Sequence, residues 1–204
     1  MASRIVTLPN ILTVVRMVLI PVFVTALYYQ KFLWALVIFV FAGVTDGFDG
    51  LLARTLNQKS HLGTILDPIA DKLLLVTAFI VLSMPSIVTP SAIPQPHPRH
   101  LPVPFWVTAA VISRDVFIVV GAAAINIVTG FRGFRPSWLG KASTVVQLFA
   151  VVYILTAASL PPLRGYLPTV YTTVFAFALF SGVHYVFFVS RLLSEERGGR
   201  DNAV

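Results

Sequence analysis

Five aspartates of this 204-residue chain lie within, or at the ends of, long apolar stretches. They are Asp46, Asp49, Asp67, Asp71 and Asp115. The other three of its eight carboxylates lie in the last ten residues. An ionised side chain inside a bilayer costs roughly 2.5–3.5 kcal/mol, so it normally faces a cavity, a partner or an ion. Five such residues therefore predict a functional site rather than packing.

Four of these acids form two pairs at helical spacing. Asp46 and Asp49 are three residues apart, and Asp67 and Asp71 are four apart, so on helices each pair projects from one face. The stretches that carry them are joined by a short connection, which predicts antiparallel neighbours. Four converging carboxylates repel one another unless cations neutralise them, and oxygen-only ligands favour Mg²⁺ or Mn²⁺.

Small and cationic residues surround the acids. Glycine and alanine around both pairs leave room for a close ligand. One hydroxyl and several cations lie towards the same end of the chain's apolar stretches: Thr45, Arg54, Lys72, Arg114 and Lys141. Carboxylates with metal beside cations suit phosphate groups, and the chemistry that this set predicts is phosphoryl transfer.

The composition predicts that these residues lie in a membrane protein. Hydrophobic residues make up 57% of the chain and charged residues 11%, with a mean hydropathy of +0.86. Apolar runs predict six transmembrane helices at about 11–29, 32–54, 63–84, 103–128, 138–160 and 167–193. The fold class expected is an all-α integral membrane bundle, with one domain over residues 1–193. Residues 85–104 predict an irregular loop, and residues 194–204 predict a polar, mobile tail.

The distribution of charge predicts the orientation of the chain in the membrane and the class of its binding partners. Eight Lys and Arg residues fall on one side of the predicted bundle and three on the other, so both termini are expected in the cytoplasm. The acids then lie towards the cytoplasmic face. The net charge of +7 forms no continuous basic stripe, which argues against nucleic acid and favours anionic lipid. The absence of cysteine excludes thiolate metal sites and disulfides.

The spacing of the acids resembles a known signature. Eight fixed positions match the pattern D-x2-D-G-x2-A-R-x8-G-x3-D-x3-D of the CDP-alcohol phosphatidyltransferases: Asp46, Asp49, Gly50, Ala53, Arg54, Gly63, Asp67 and Asp71. The resemblance implies transfer of a phosphatidyl group from CDP-diacylglycerol to an alcohol, with release of CMP. It further implies two divalent cations, Mg²⁺ or Mn²⁺, and a homodimer.

The resemblance also implies roles for individual residues. Asp46, Asp49, Asp67 and Asp71 would hold metal, and Asp71 would also act as the general base on the acceptor hydroxyl. The residues expected to bind the CDP moiety are Thr45, Asp46, Gly50, Ala53 and Arg54.

The acceptor is less closely defined by the sequence. Phrases such as Thr7-Leu8-Pro9-Asn10 resemble the phosphatidylglycerophosphate synthase branch, whose acceptor is glycerol 3-phosphate. That branch usually has Arg-Glu where this chain has Arg114-Asp115, a pattern more similar to cardiolipin synthases that use phosphatidylglycerol. Because either acceptor carries phosphate, we expect Arg114, Lys141 and Arg191 to form its anionic pocket, with Asp115 orienting a cation.

Simpler interpretations stand beside these. Arg114 and Asp115 could form an ion pair with a structural role only, and Lys141 could reach lipid phosphate. The aspartate cluster could also belong to a cation or proton transporter. The main hypothesis remains a phospholipid-synthesis enzyme in the bacterial inner membrane, with its active site at the cytoplasmic face.

Overall fold

The computed structural model describes residues 8–55, 61–88, 101–129 and 138–201, and every regular element in these ranges is helical. In chain order the helices are α1 (Leu8–Tyr28), α2 (Phe32–Thr55), α3 (His61–Leu82), α4 (Pro85–Val88), α5 (Phe105–Thr129), α6 (Trp138–Ser159) and α7 (Leu167–Asp201), with a 3₁₀ helix (Pro161–Tyr166) before α7. Six of the seven α-helices contain 21 residues or more. They correspond to the six apolar stretches of the sequence.

The turn between α1 and α2 ends the first helix sharply. Gln30 adopts a left-handed conformation with φ of 59°. Its N–H donates to the Leu27 carbonyl at 2.9 Å, and the Lys31 N–H donates to the Ala26 carbonyl at 2.9 Å. These two bonds form a Schellman motif, which satisfies carbonyls at the end of α1 and reverses the chain. The side chain of Gln30 also donates to the Ile87 carbonyl of α4.

The helices pack around one core. α1 contacts both α2 and α3, α6 lies against α2 and α7, and α5 packs along α7. Large side chains fill the space between them and are almost fully buried: Phe23, Leu27, Phe39, Leu75, Phe79, Ile154 and Leu155. Buried alanines on α2, α3 and α6 let the backbones approach closely.

The outward faces of the helices are also apolar. Leu33, Phe117, Phe149, Phe180 and Phe187 are all more than 60% exposed. Soluble monomers rarely expose apolar side chains so extensively, whereas helices in lipid do. Two described stretches, Trp138–Ser159 and Pro161–Phe187, are long and apolar enough to cross a bilayer. The all-helical prediction is confirmed, and the fold is consistent with a helical membrane protein.

Two predicted segments differ from the structure. α7 continues to Asp201, so residues 194–201 of the predicted polar tail are helical, and the mobility of the tail stays a prediction. No proline follows Pro168, and Glu195 and Glu196 are good helix formers. The loop predicted at 85–104 begins with the short helix α4, and the Val103 N–H donates to the Leu82 carbonyl at 2.9 Å. Residues 89–100 lie outside the described ranges.

Candidate active site

The backbone of the four paired aspartates lies on α2 and α3. Asp46 and Asp49 fall in the second half of α2, and Asp67 and Asp71 in the first half of α3. Only residues 56–60 separate the two helices, so both pairs lie towards the same end of the bundle. Several predicted site residues have side chains outside the described part of the chain: Asp46, Asp49, Gly50, Ala53, Arg54, Asp67, Asp71 and Arg191.

Helices α2 and α3 are held chiefly by a shared neighbour. Direct contact between them is slight in the described residues, whereas α1 packs closely against both. The described residues therefore place α2 and α3 on either side of α1, and the expected close pairing of the two helices stays a prediction. On α1, Thr13 and Arg16 are buried and have interaction partners. Arg16 is 1% exposed, so it is enclosed by the helices and does not reach a lipid headgroup.

The described interior of the bundle has a polar half and an apolar half. The buried polar residues Thr13 and Arg16, Ser143 and Gln147, and Ser181 lie in the parts of α1, α6 and α7 that point towards the α2–α3 connection. The opposite halves of the same helices bury aliphatic and aromatic side chains. The paired aspartates lie on the polar side. A polar interior is the environment that ionised carboxylates and cations require.

Thr45 immediately precedes the first aspartate and is half-buried. Its hydroxyl lies 2.9 Å from the Phe41 carbonyl and 2.8 Å from the Ala42 carbonyl, both within α2. The single hydroxyl proton is thereby directed at the helix backbone. What Thr45 can offer a ligand is its oxygen, as a hydrogen-bond acceptor.

Arg114 and Asp115 form the centre of a buried polar network. Arg114 Nη1 donates to Asp115 Oδ1 at 2.6 Å, and Lys72 Nζ of α3 donates to the same oxygen at 2.8 Å. Arg114 Nε and Nη2 donate to Ser181 Oγ of α7 at 3.2 and 2.9 Å. Its Nη2 also donates to the Gly140 carbonyl of α6 at 2.9 Å. The network thus connects α3, α5, α6 and α7.

The network changes the interpretation of the Arg114–Asp115 pair. A pair that satisfies only itself would leave α3 outside, but Lys72 follows Asp71 in sequence and joins the carboxylate. Asp115 therefore contacts two cations, and its role in orienting a cation towards the acceptor stays a prediction. Lys72 carries no signal in the sequence that would single out Asp115 as its partner, because 43 residues separate the two.

The predicted acceptor cations are placed differently from one another. Arg114 is buried, 5% exposed, whereas Lys141 is exposed near the start of α6. The Gly140 carbonyl that accepts from Arg114 belongs to the residue before Lys141, so the backbone next to Lys141 lies beside the guanidinium. Ser181 was not anticipated. A single serine in an apolar helix carries no chemical pattern, and only the packing of α7 against α5 shows its role.

The chain is similar to known proteins over most of its length. The family model described as CDP-alcohol phosphatidyltransferase matches residues 6–188. A probable phosphatidylglycerophosphate synthase of Mycobacterium tuberculosis is 35% identical over 215 aligned positions, covering 98% of this chain and 88% of that protein. The CDP-diacylglycerol–glycerol-3-phosphate 3-phosphatidyltransferase of Blochmanniella floridana is 32% identical, covering 91% and 92%. A putative cardiolipin synthase of Mycobacterium bovis is 36% identical, covering 70% and 61%.

Proposed function

Because this chain belongs to the CDP-alcohol phosphatidyltransferase family, we propose that it transfers the phosphatidyl group of CDP-diacylglycerol to glycerol 3-phosphate. The products are phosphatidylglycerophosphate and CMP. The observation that carries the proposal is the near full-length similarity to two proteins named for this activity or its product, at 35% and 32% identity. Family membership also decides against the transporter alternative.

The proposed metal ligands are Asp46 and Asp49 on α2 with Asp67 and Asp71 on α3. Their donor set consists of carboxylate oxygens, and the chain contains no cysteine, which fits Mg²⁺ or Mn²⁺. Their backbone positions at the polar end of the bundle agree with a charged ligand there. When bound, two such ions supply neutralisation of the diphosphate charge and so make CMP a better leaving group.

The protein residues contribute a base and orientation. Asp71 accepts the proton of the acceptor hydroxyl as that oxygen forms a bond to the phosphorus that carries diacylglycerol. The bond from this phosphorus to the bridging oxygen of the diphosphate breaks, and CMP leaves with the electron pair. Holding both substrates in line removes much of the entropic barrier to such a displacement.

The CDP moiety is proposed to bind along α2. Gly50 and Ala53 would leave space for the nucleotide, and Thr45, Asp46 and Arg54 would contact it. The Thr45 oxygen can accept a hydrogen bond from the cytosine amine or a ribose hydroxyl, since its proton is directed at the α2 backbone. The acceptor phosphate is proposed to lie near Lys141 and Arg191, within the positive field of Arg114.

A second acceptor has a specific observation in its favour. Arg114 is followed by Asp115, as in the cardiolipin synthases that the sequence resembles, and a putative cardiolipin synthase is 36% identical over 143 residues. In that case the acceptor would be phosphatidylglycerol. The shorter coverage of that relative, 61% of its length, makes glycerol 3-phosphate the first choice.

The proposed setting is a bacterial inner membrane, with six spans, both termini in the cytoplasm and the site at the cytoplasmic face. The excess of Lys and Arg on the side of the α2–α3 connection supports this orientation. We further propose that the chain forms a homodimer.

The direct test is an acceptor panel. Purified protein in detergent, given CDP-diacylglycerol and Mg²⁺ or Mn²⁺, should release CMP with glycerol 3-phosphate and not with serine. Phosphatidylglycerol forms the second arm of the panel. Asp67→Asn and Asp71→Asn should each reduce CMP release by at least about 100-fold while the protein still folds. Release of CMP with phosphatidylglycerol but not with glycerol 3-phosphate would assign the other branch. If no alcohol in the panel led to CMP release, the proposal would be refuted.

A further inference from the structure

Lys72 and Arg114 share one carboxylate but differ in accessibility. Both donate to Asp115 Oδ1, and the side chain of Lys72 is 36% exposed whereas that of Arg114 is 5% exposed. Two cations and one carboxylate give this trio a net charge of about +1. Because Arg114 is enclosed, the positive charge that a ligand can reach is that of Lys72.

The hydrogen bonds of Arg114 leave it little capacity for a ligand. A guanidinium has five N–H donors: one on Nε and two on each terminal nitrogen. Nε donates to Ser181, Nη2 donates to Ser181 and Gly140, and Nη1 donates to Asp115. One N–H of Nη1 remains among the described contacts. The planar guanidinium is held by two other helices, α6 and α7, and by the neighbouring residue Asp115, so it is suited to a supporting role.

The ammonium of Lys72 has the opposite balance. Of its three N–H donors, one is directed at Asp115, and no other described residue accepts a hydrogen bond from it. The salt bridge restrains a side chain that is otherwise flexible, at a position one residue after the proposed general base Asp71. A restrained, half-exposed ammonium with two open donors beside a phosphoryl-transfer site is suited to bind phosphate.

We propose that Lys72 contacts a phosphate group of a substrate directly, and that Asp115 and Arg114 are positioning residues that hold it. This inference rests on the proposed phosphatidyl transfer. The phosphate is either that of the acceptor or the diphosphate of CDP-diacylglycerol, and the two share the same chemistry. Arg114 then acts on the anion through its charge and through Asp115.

The test compares Lys72→Gln and Lys72→Arg with Lys31→Gln, the same change at an exposed lysine beyond the opposite end of α2. KM is measured for glycerol 3-phosphate and for CDP-diacylglycerol, together with kcat and the midpoint of thermal unfolding. Lys72→Gln should raise one KM by about 10- to 100-fold, the loss expected for one charge-assisted contact. Lys72→Arg should keep that KM within about fivefold, and Lys31→Gln should change neither.

The substrate whose KM rises identifies the phosphate, and either result supports the inference. Asp115→Asn should raise the same KM, with partial rescue by Asp115→Glu, because the role of Asp115 is to hold the ammonium. Unchanged KM values in Lys72→Gln, with a lower kcat or a lower unfolding midpoint, would mean that Lys72 only ties α3 to α5. If the unmodified protein released no CMP with any acceptor, the proposed function itself would fail, which is a distinct outcome.

Discussion

Ser181→Ala isolates the part of the network that holds Arg114. The Ser181 hydroxyl accepts from both Nε and Nη2 of the buried guanidinium, at 3.2 and 2.9 Å. Alanine removes both contacts and leaves Nε without an acceptor in an environment where water is scarce. Hydrogen bonds to charged groups contribute about 1.5–3 kcal/mol each, and an unsatisfied buried donor costs about as much. Because both N–H groups share one acceptor oxygen, we count the pair as one such interaction and expect a loss of about 1.5–3 kcal/mol in the free energy of unfolding.

The assay is thermal unfolding of the purified protein in detergent, followed by circular dichroism. For a chain of this size, 1 kcal/mol corresponds to about 2–4 °C, so the expected decrease in Tm is about 3–12 °C. Ser159→Ala is the matched control, because the Ser159 hydroxyl donates only to Leu155 of its own helix, at 3.2 Å. That variant should unfold within about 2 °C of the unmodified protein.

Ser181→Ala also has an expected effect on the kinetics. If Arg114 supports Asp115 and Lys72, its loosening should raise the KM for the phosphate-bearing substrate more than it lowers kcat. Equal Tm values for Ser181→Ala and Ser159→Ala, with unchanged kinetics, would refute the reasoning that Ser181 fixes the guanidinium.

Three further predictions concern packing, metal and topology. A Cβ added at Gly121 would lie 2.8 Å from Tyr185 Cε1, so Gly121→Ala should lower Tm by several degrees. A Cβ added at Gly182 would have no atom within 4 Å, so Gly182→Ala should leave Tm unchanged or raise it slightly. A higher Tm for both variants would contradict this reasoning. Treatment with EDTA should abolish CMP release and added Mg²⁺ or Mn²⁺ should restore it; activity that survives chelation would exclude the proposed ions. Because the chain has no cysteine, single-cysteine variants in intact cells can report topology: Ser60→Cys should resist an impermeant thiol reagent that labels Gln30→Cys, and the reverse would invert the proposed orientation.

The helical framework follows directly from the sequence because lipid leaves the backbone no alternative. Apolar runs bounded by proline, glycine and charge predicted five of the six long helices to within three residues at each end, and they predicted the start of α7 but not its end. The acid pairs were assigned to helix faces by spacing alone, and their backbone positions on α2 and α3 agree. Their joint binding of metal stays a prediction, since their side chains lie outside the described residues.

The side-chain contacts between helices were harder to predict than the helices themselves. Helical periodicity indicates which face of α5 carries Arg114, but it does not identify Ser181, 67 residues away, as the partner. Nor does it show that Lys72 shares the Asp115 oxygen. Such pairings depend on how α3, α6 and α7 are arranged around α5, which is a property of the packed bundle. The C-terminal extension of α7 was missed because polarity was taken as a sign of disorder, although charged residues without proline or packing constraints readily continue a helix.

The division of the bundle interior bears on how molecules enter and leave. Phe23, Phe39 and Phe79 are almost fully buried in the apolar half, and Thr108 there is committed to the Phe79 carbonyl. In the described part of the chain, this layer closes the far end of the bundle to hydrated solutes. A water-soluble acceptor and departing CMP would then have to use the same opening. CMP should accordingly act as a product inhibitor, because bound CMP blocks the opening through which the next substrate enters. The membrane would stay impermeable to hydrated solutes throughout turnover.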